Sequence, residues 1–149
     1  MALLNIDDIR TEFPTRRGTL VAVDGVSLSL EKGEILGVVG ESGAGKSTIG
    51  NAVIGLLEAP GRLAGGSVLL NGERIDTLTP AQKRKVRGRR IGMIFQDPLT
   101  SLDPLQTVES QLVETMLVHL DLTHDAAKKR AVQLLAQVGI DQPELRVQQ

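Results

Sequence analysis

Short apolar segments divided by polar turns occupy the first thirty positions, a pattern typical of strands. Residues 3–13 hold a short apolar segment followed by Pro14, and within residues 20–30 apolar and polar positions alternate from Val26 to Leu30. A basic turn, Arg16-Arg17-Gly18, separates the two segments. The pattern predicts strands in this part of the chain, with residues 20–30 as a half-buried antiparallel strand.

Two short apolar runs, the first of them bounded by glycine, have a different pattern. Residues 34–39 read EILGVV and residues 91–95 read IGMIF, with no alternation in either. Such runs are typical of strands that are buried on both faces, as in a parallel sheet. We therefore expect two buried strands here, the second followed by a proline-rich loop at 96–106.

Turn and capping signals punctuate the middle of the chain. Asn71-Gly72 separates residues 67–70 from residues 73–75, which predicts a hairpin. Thr79, Pro80 and Gln82 then occupy the N-cap, N1 and N3 positions expected of a capping box. A short helix is expected to follow.

Three segments have the apolar spacing of amphipathic helices. They span 46–57, roughly 107–120 and roughly 124–138, with Gly139 as the expected C-cap of the last. The apolar stripes are Ile49, Val53 and Leu56 or Leu57; Val108, Leu112, Met116 and Leu120; and Ala127, Ala131, Leu134 and Val138.

Composition narrows the function classes. The 149 residues carry a net charge of −1, so no global field favours nucleic acid. Aromatic residues make up 1%, too few for a base-stacking protein, and the absence of cysteine excludes disulfides and thiolate metal sites. No apolar run approaches the ~18 residues of a membrane span.

The glycine-rich segment 40–47, GESGAGKS, satisfies the phosphate-loop pattern G-x-x-x-x-G-K-[ST] in full. Glycines let successive backbone N–H groups point at a phosphate, and the start of the following helix adds its positive end. Lys46 is expected to reach the β- and γ-phosphates, Ser47 to ligate Mg²⁺ and Thr48 to bond the α-phosphate. The predicted nucleotide-binding residues are Gly40, Glu41, Ser42, Gly43, Ala44, Gly45, Lys46, Ser47 and Thr48.

A second motif, FQDPLTSLDP at 95–104, makes the resemblance specific. Together with GESGAGKS and the segment 22–48, it resembles the ATP-binding subunits of ABC transporters, and most of all the di- and oligopeptide importer group. The resemblance implies an α/β P-loop NTPase fold of the ABC ATPase type with an antiparallel β flank. Residues 1–106 would form the N-terminal part of the nucleotide-binding core, and residues 107–149 the start of a helical subdomain.

By this resemblance Gln96 is the Q-loop glutamine, a catalytic residue that contacts Mg²⁺ or the attacking water. Mg²⁺ would then be held by Ser47, Gln96 and phosphate. The alternative that Asp97 is the magnesium aspartate of an apolar strand is disfavoured, because Gln96 interrupts the run and Pro98 bends the chain. The family's adenine-stacking position falls on Arg17. Its guanidinium can stack on a base, Phe13 is an alternative, and a solvated turn residue is an equal reading.

Three family motifs are absent from these residues: an LSGGQ-like loop, an apolar strand ending in Asp-Glu and a late switch histidine. We therefore expect the chain to correspond to the N-terminal half of such a subunit. Without the glutamate it would lack a general base. We expect it to bind nucleotide weakly, not to turn it over, and to aggregate through open apolar faces.

The resemblance also implies partners: transmembrane permease subunits and a second ATP-binding subunit, at the cytoplasmic face of the cell membrane. The solute would be a peptide, with nickel or another small solute as alternatives. Other readings are a non-hydrolysing regulatory module, the inactive product of a disrupted gene, and a DNA-repair or chromosome ATPase. The basic run at 83–90 is interpreted as a solvated surface in preference to a nucleic-acid patch. His119 and His124 are interpreted as exposed residues at a helix end and a helix start.

Overall fold

The computed structural model describes residues 2–97 and 101–149. They form two compact units, Met1–Arg84 and Lys85–Gln149, which are described separately below. The predicted division into a core at 1–106 and a subdomain from 107 concerns the organisation of the family and stays a prediction.

The first unit is built on a four-stranded antiparallel sheet with the order β2-β1-β3-β4. The strands are β1 (Leu4–Thr15), β2 (Gly18–Leu30), β3 (Arg62–Leu70) and β4 (Glu73–Arg74). One face is apolar and buried, with Ile6, Ile9, Val23 and Val68 at most 5% exposed. This confirms the strands and the antiparallel β flank expected from the sequence.

The β3–β4 hairpin turns at the predicted Asn71-Gly72 pair. Both residues have positive φ, 52° and 79°, as a type I′ turn requires. Asp76 then accepts hydrogen bonds from the Val68 amide, at 2.9 Å, and from the Arg74 guanidinium, at 3.0 Å. Burial of Asp76 opposes ionisation, but these bonds outweigh it and lower the pKa of its carboxyl.

The first unit also contains two helices, one between β2 and β3 in sequence and one that begins after β4. α1 (Lys46–Ile54) packs on the sheet through the buried Ala52. It ends three residues earlier than predicted because Gly55 adopts the left-handed conformation, with φ 65°, and closes the helix. α2 (Pro80–Val86) begins with the expected capping box: the Thr79 amide donates to Gln82 Oε1 at 2.9 Å, and the Gln82 amide donates to Thr79 Oγ1 at 3.3 Å.

The two buried strands predicted at 34–39 and 91–95 are wrong for this chain. Neither segment forms a strand among the described residues; the second holds only an isolated bridge between Arg87 and Ile91. Ile35, Val39 and Ile94 are more than 90% exposed. The apolar pattern describes side chains, whereas a strand also needs a neighbouring backbone to accept and donate its hydrogen bonds.

The second unit is helical. α3 (Val108–His119) and α4 (His124–Gln137) begin at side-chain N-caps, Thr107 and Thr123, within one residue of the predicted starts. A short helix that the sequence did not indicate, α5 (Pro143–Arg146), follows. The residues after α5 contact the start of α3, where the Glu109 amide donates to the Val147 carbonyl at 2.7 Å. The core of this unit is Val113, Met116, Ala127, Ala131 and Val147.

The helix stripes are confirmed at their centres and fail at their ends. Met116, Ala127 and Ala131 are buried, whereas Leu120 is 46% exposed and Val138 is 73% exposed. Both exposed residues lie beyond the last helical residue, so they no longer follow the helical repeat. His119 was expected to be exposed and is instead half-buried, with its ring against Gly88.

Candidate phosphate-binding site

The phosphate loop, residues 40–47, connects the extended segment 34–39 to α1. Gly43 and Gly45 have φ values of 83° and 84°, a conformation that other residues adopt with strain. Gly45 is also the N-cap of α1, and a Cβ at this position would lie 2.8 Å from the Ala22 carbonyl oxygen of β2. Glycine is therefore required at Gly45 both by backbone conformation and by the close approach of the sheet.

The Lys46 ammonium group lies across the loop. Its Nζ donates to the Gly40 carbonyl at 2.7 Å and to the Glu41 carbonyl at 2.6 Å. The loop is thus closed around a positive charge, at the point where the pattern G-x-x-x-x-G-K-[ST] places a phosphate. Charge-assisted bonds of this kind are exchanged readily for bonds to a stronger anionic acceptor.

The loop is accessible and electrostatically suited to an anion. Residues 40–44 are exposed. The first turn of α1 carries no acidic side chain, so its unsatisfied N–H groups and the positive end of the helix act unopposed. Ser47 and Thr48 present their hydroxyls from this same turn. Together these features form a nest for a phosphate group.

The donor set for a magnesium ion is sparse. Across residues 2–97 and 101–149, no group of three or more histidine, cysteine and acidic side chains is placed to hold a metal. The loop offers the Ser47 hydroxyl beside the phosphate position. Mg²⁺ commonly takes one or two protein ligands plus phosphate oxygens and water, and this loop fits that mode.

The structure places the predicted adenine contacts in the β1–β2 hairpin. Arg17 lies in the exposed turn, where its amide donates to Thr15 Oγ1 at 3.2 Å. Phe13 is half-buried, and its ring packs on Gly61, where a Cβ would collide with it. One side of the Phe13 ring is thereby engaged, so Arg17 has the freer side chain of the two.

Gln96 belongs to the second unit and is exposed at a bend. Among the described residues that follow Gln96, Asp97 and residues 101–106 make polar contacts. The Ser101 hydroxyl donates to the Asp97 carbonyl at 2.8 Å, and the Gln111 side chain on α3 bonds to the backbone of residues 103–106. Pro98, Leu99 and Thr100 of the predicted motif lie outside the described residues. The motif that indicated Gln96 gave no signal for Gln111, which stands outside it.

The first unit thus combines a glycine-rich loop that runs into a helix with an antiparallel sheet, an arrangement that solved structures of nucleotide-binding cassettes share. Two solved structures share this fold over 97% of the chain: a dimeric bacterial ABC transporter cassette, with TM-score 0.83, and the same cassette in a post-hydrolysis state bound to ADP and Pi, with TM-score 0.84. Both are 21% identical in sequence, and the chain covers 60% and 61% of them.

The family model described as ABC transporter matches residues 23–149, and the chain belongs to this family. It is 45% identical over 148 residues to the oligopeptide transport ATP-binding protein OppD of Bacillus subtilis. It is 40% identical over 147 residues to the dipeptide transport ATP-binding protein DppD of Escherichia coli. Both alignments cover 99% of the chain. The chain spans less than half the length of these relatives, 41% and 45%.

These comparisons confirm the family, the cassette fold and the similarity to the peptide importer group. No helix in the described part of the chain has the length and apolar character that crossing a bilayer requires.

Proposed function

We propose that the chain is the ATP-binding portion of an ABC importer subunit and that it binds ATP with Mg²⁺ through residues 40–48. The observation that carries the proposal is the closed phosphate loop, with Lys46 Nζ held at its centre by two backbone carbonyls. Relatives named for oligopeptide and dipeptide transport, aligned over nearly the whole chain, support a peptide as the solute.

Each loop residue has a distinct task in this proposal. The Ala44 amide donates to the Glu41 carbonyl at 3.2 Å, so the backbone N–H groups of Gly43, Gly45 and Lys46 are the ones proposed to bind the β-phosphate. The Lys46 ammonium group exchanges its carbonyl acceptors for the β- and γ-phosphate oxygens. The Ser47 hydroxyl ligates Mg²⁺, and Thr48 donates to the α-phosphate. Arg17 stacks on the adenine through its guanidinium plane.

By its motif, Gln96 is proposed as a ligand to Mg²⁺ or to the attacking water. Its amide can both accept and donate, which suits a group that contacts a metal and a water in turn. Mg²⁺ would supply charge neutralisation for the phosphates. The residues of this chain account for binding and orientation of the nucleotide, and we expect no turnover from the chain alone.

The partners are proposed from the role in peptide transport for which the relatives are named. Transport of a peptide requires a membrane-spanning permease, so we propose a peripheral position on the cytoplasmic face of the membrane. A second ATP-binding subunit is the further proposed partner. The solved cassettes of the same fold are dimeric, which supports it.

Titration calorimetry of the purified chain with Mg-ATP tests the central claim. We expect saturable binding, weakened at least ~10-fold by Lys46→Ala because the charge-assisted contacts to phosphate are lost. Lys32→Ala, at an exposed turn position before the loop, is the matched control and should bind as the unmodified chain does.

Equal affinity of the unmodified chain and Lys46→Ala would contradict the proposal, as would no binding by either. A phosphate-release assay on the same samples separates binding from turnover. Measurable hydrolysis abolished by Lys46→Ala would show that the chain supplies more of the catalytic machinery than we propose.

A further inference from the structure

The side chain of Gln111 uses its hydrogen-bonding groups on the loop that precedes α3. Its Oε1 accepts from the Asp103 amide at 2.9 Å. Its Nε2 donates to the Asp103 carbonyl at 3.0 Å and to the Gln106 carbonyl at 3.2 Å. A glutamine amide has one acceptor oxygen and two N–H donors, so these three contacts engage both ends of the side chain.

The loop held by Gln111 is stiffened from within. Asp103 Oδ1 accepts from the Leu105 amide at 2.9 Å, and Asp103 Oδ2 accepts from the Gln106 side chain at 3.1 Å. Residues 103–106 therefore form a small polar unit, fixed to one position on the side of α3. The exposed Leu105, 92% accessible, is carried on this unit.

A further contact extends the chain of bonds toward Gln96. The Ser101 hydroxyl donates to the Asp97 carbonyl at 2.8 Å, and Asp97 is the residue directly after Gln96. The backbone beside Gln96 is thus bonded to Ser101, which precedes the first residue held by Gln111, Asp103, by two positions in the chain. All of these residues lie in the second unit.

The stability of α3 does not account for the Gln111 contacts. The helix has its own N-cap, since the Ser110 amide donates to Thr107 Oγ1 at 3.1 Å. It also has its own apolar anchor in Val113 and Met116. None of the three Gln111 side-chain bonds is to a residue within α3; all are to residues 103 and 106.

We infer that Gln111 is a positioning residue that fixes Gln96 relative to α3 by clamping residues 103–106. The inference rests on the proposed function, in which Gln96 contacts Mg²⁺ or water. In this inference the Gln111 side chain connects the backbone near Gln96 to helix α3. Gln111 itself need not touch the nucleotide.

Nuclear magnetic resonance of the ¹⁵N-labelled 149-residue chain tests the clamp without nucleotide. In Gln111→Leu we expect the Asp103 amide to exchange with solvent at least about tenfold faster, since its acceptor is gone. We also expect the backbone amide signals of Gln96 and Asp97 to shift, because this backbone would lose its fixed position relative to α3. Gln111→Glu keeps the acceptor but loses both donors, so it should protect Asp103 while shifting the Gln96 signals.

Gln133→Leu is the matched control, the same substitution at an exposed position of α4. It should leave both readouts unchanged. Unaltered Gln96 signals in Gln111→Leu would overturn the inference. A uniform loss of amide protection across α3 and α4 in both Gln111 variants would also overturn it, because the residue would then be merely structural.

A second readout separates this inference from the proposed function. ATP binding is measured with Mg²⁺ and again with a chelator in place of Mg²⁺. In Gln111→Leu, Mg²⁺ should increase the ATP affinity less than it does in the unmodified chain, while the affinity measured with chelator is unchanged. An unmodified chain that binds no ATP would refute the proposed function alone, since the resonance experiment would still decide the role of Gln111.

Discussion

At the scale of single residues, the phosphate loop depends on two glycines with different surroundings. Gly43 and Gly45 share a positive φ, but only Gly45 faces a neighbouring backbone, the Ala22 carbonyl. An L-residue in this conformation costs about 1–2 kcal/mol at either position. A Cβ at Gly45 adds a collision that neither backbone can relieve without moving.

We predict that Gly45→Ala destabilises the chain more than Gly43→Ala. Gly43→Ala should lower the free energy of unfolding by about 1–2 kcal/mol, and Gly45→Ala by at least about 1 kcal/mol more, through overpacking. Urea denaturation compares the two. Equal losses would contradict the packing argument and leave only the backbone strain.

Glu109, in the first turn of α3, is held by two polar partners of the helical unit. Lys128 Nζ lies 3.0 Å from its carboxylate and Gln148 Nε2 donates to it at 2.8 Å. The hydrogen bond from Lys128 lowers the pKa of Glu109; burial opposes this, and the Gln148 bond and nearby His124 add to the lowering. Its ionised form is therefore favoured in the folded chain.

A glutamate with a lowered folded pKa contributes stability above its unfolded pKa, here 4.5, and that contribution disappears as the pH falls through the folded value. We predict that Glu109→Gln is less stable than the unmodified chain at neutral pH and that the difference shrinks below about pH 4.5. Denaturation at a series of pH values measures it. Glu114→Gln, at an exposed site on the same helix, should show no such convergence.

At the scale of elements, the helices of the second unit begin at threonine caps. Thr107 and Thr123 each accept from the amide three residues later, at 3.1 and 3.3 Å. We predict that Thr107→Ala and Thr123→Ala each lower the free energy of unfolding by about 1 kcal/mol. Thermal denaturation should show no comparable loss for Thr115→Ala, within α3, because alanine is the better helix former there.

Elements were predictable from the sequence where their cause is local. Caps, the Asn71-Gly72 turn and the apolar repeats of α1, α3 and α4 depend on residues within a few positions of one another. The segments 34–39 and 91–95 failed because strand formation depends on a distant hydrogen-bonding partner. α5 has only Pro143 as a start signal and is too short to show a repeat.

The site divides in the same way. The phosphate loop is one contiguous motif, so its residues and the tasks proposed for them could be read directly from the sequence. The contacts of Gln111 with Asp103 and Gln106 arise from a turn of backbone between them, which no spacing rule indicates. The placement of Phe13 against Gly61 is likewise a product of tertiary packing.

At the scale of the whole molecule, large apolar side chains remain in water in both units. Ile35 is 97% exposed, Val39 93% and Ile94 98%, and the segments that carry them form no ladder within the described residues. Exposed apolar side chains on backbone that is not paired in a sheet favour association with other chains. The expectation of aggregation from the sequence therefore has named residues behind it.

We predict that Ile35→Lys and Ile94→Lys, alone and combined, reduce self-association of the purified chain, measured by light scattering against concentration. Val118→Lys is the control, since Val118 is also exposed, at 70%, but lies on the formed helix α3. If Val118→Lys reduces scattering as much as the combined variant, exposed apolar area in general is responsible. The two unladdered segments would then have no special part.

The bonds that Lys46 makes to Gly40 and Glu41 have a consequence for tolerated sequence variation. Both acceptors are main-chain oxygens, which every amino acid carries, so replacing the Glu41 side chain leaves its bond to the ammonium group in place. A saturation library selected for nucleotide retention should thus accept many residues at position 41 and almost none at position 46. Substitutions at position 41 should therefore leave nucleotide binding intact, whereas substitutions at position 46 should abolish it.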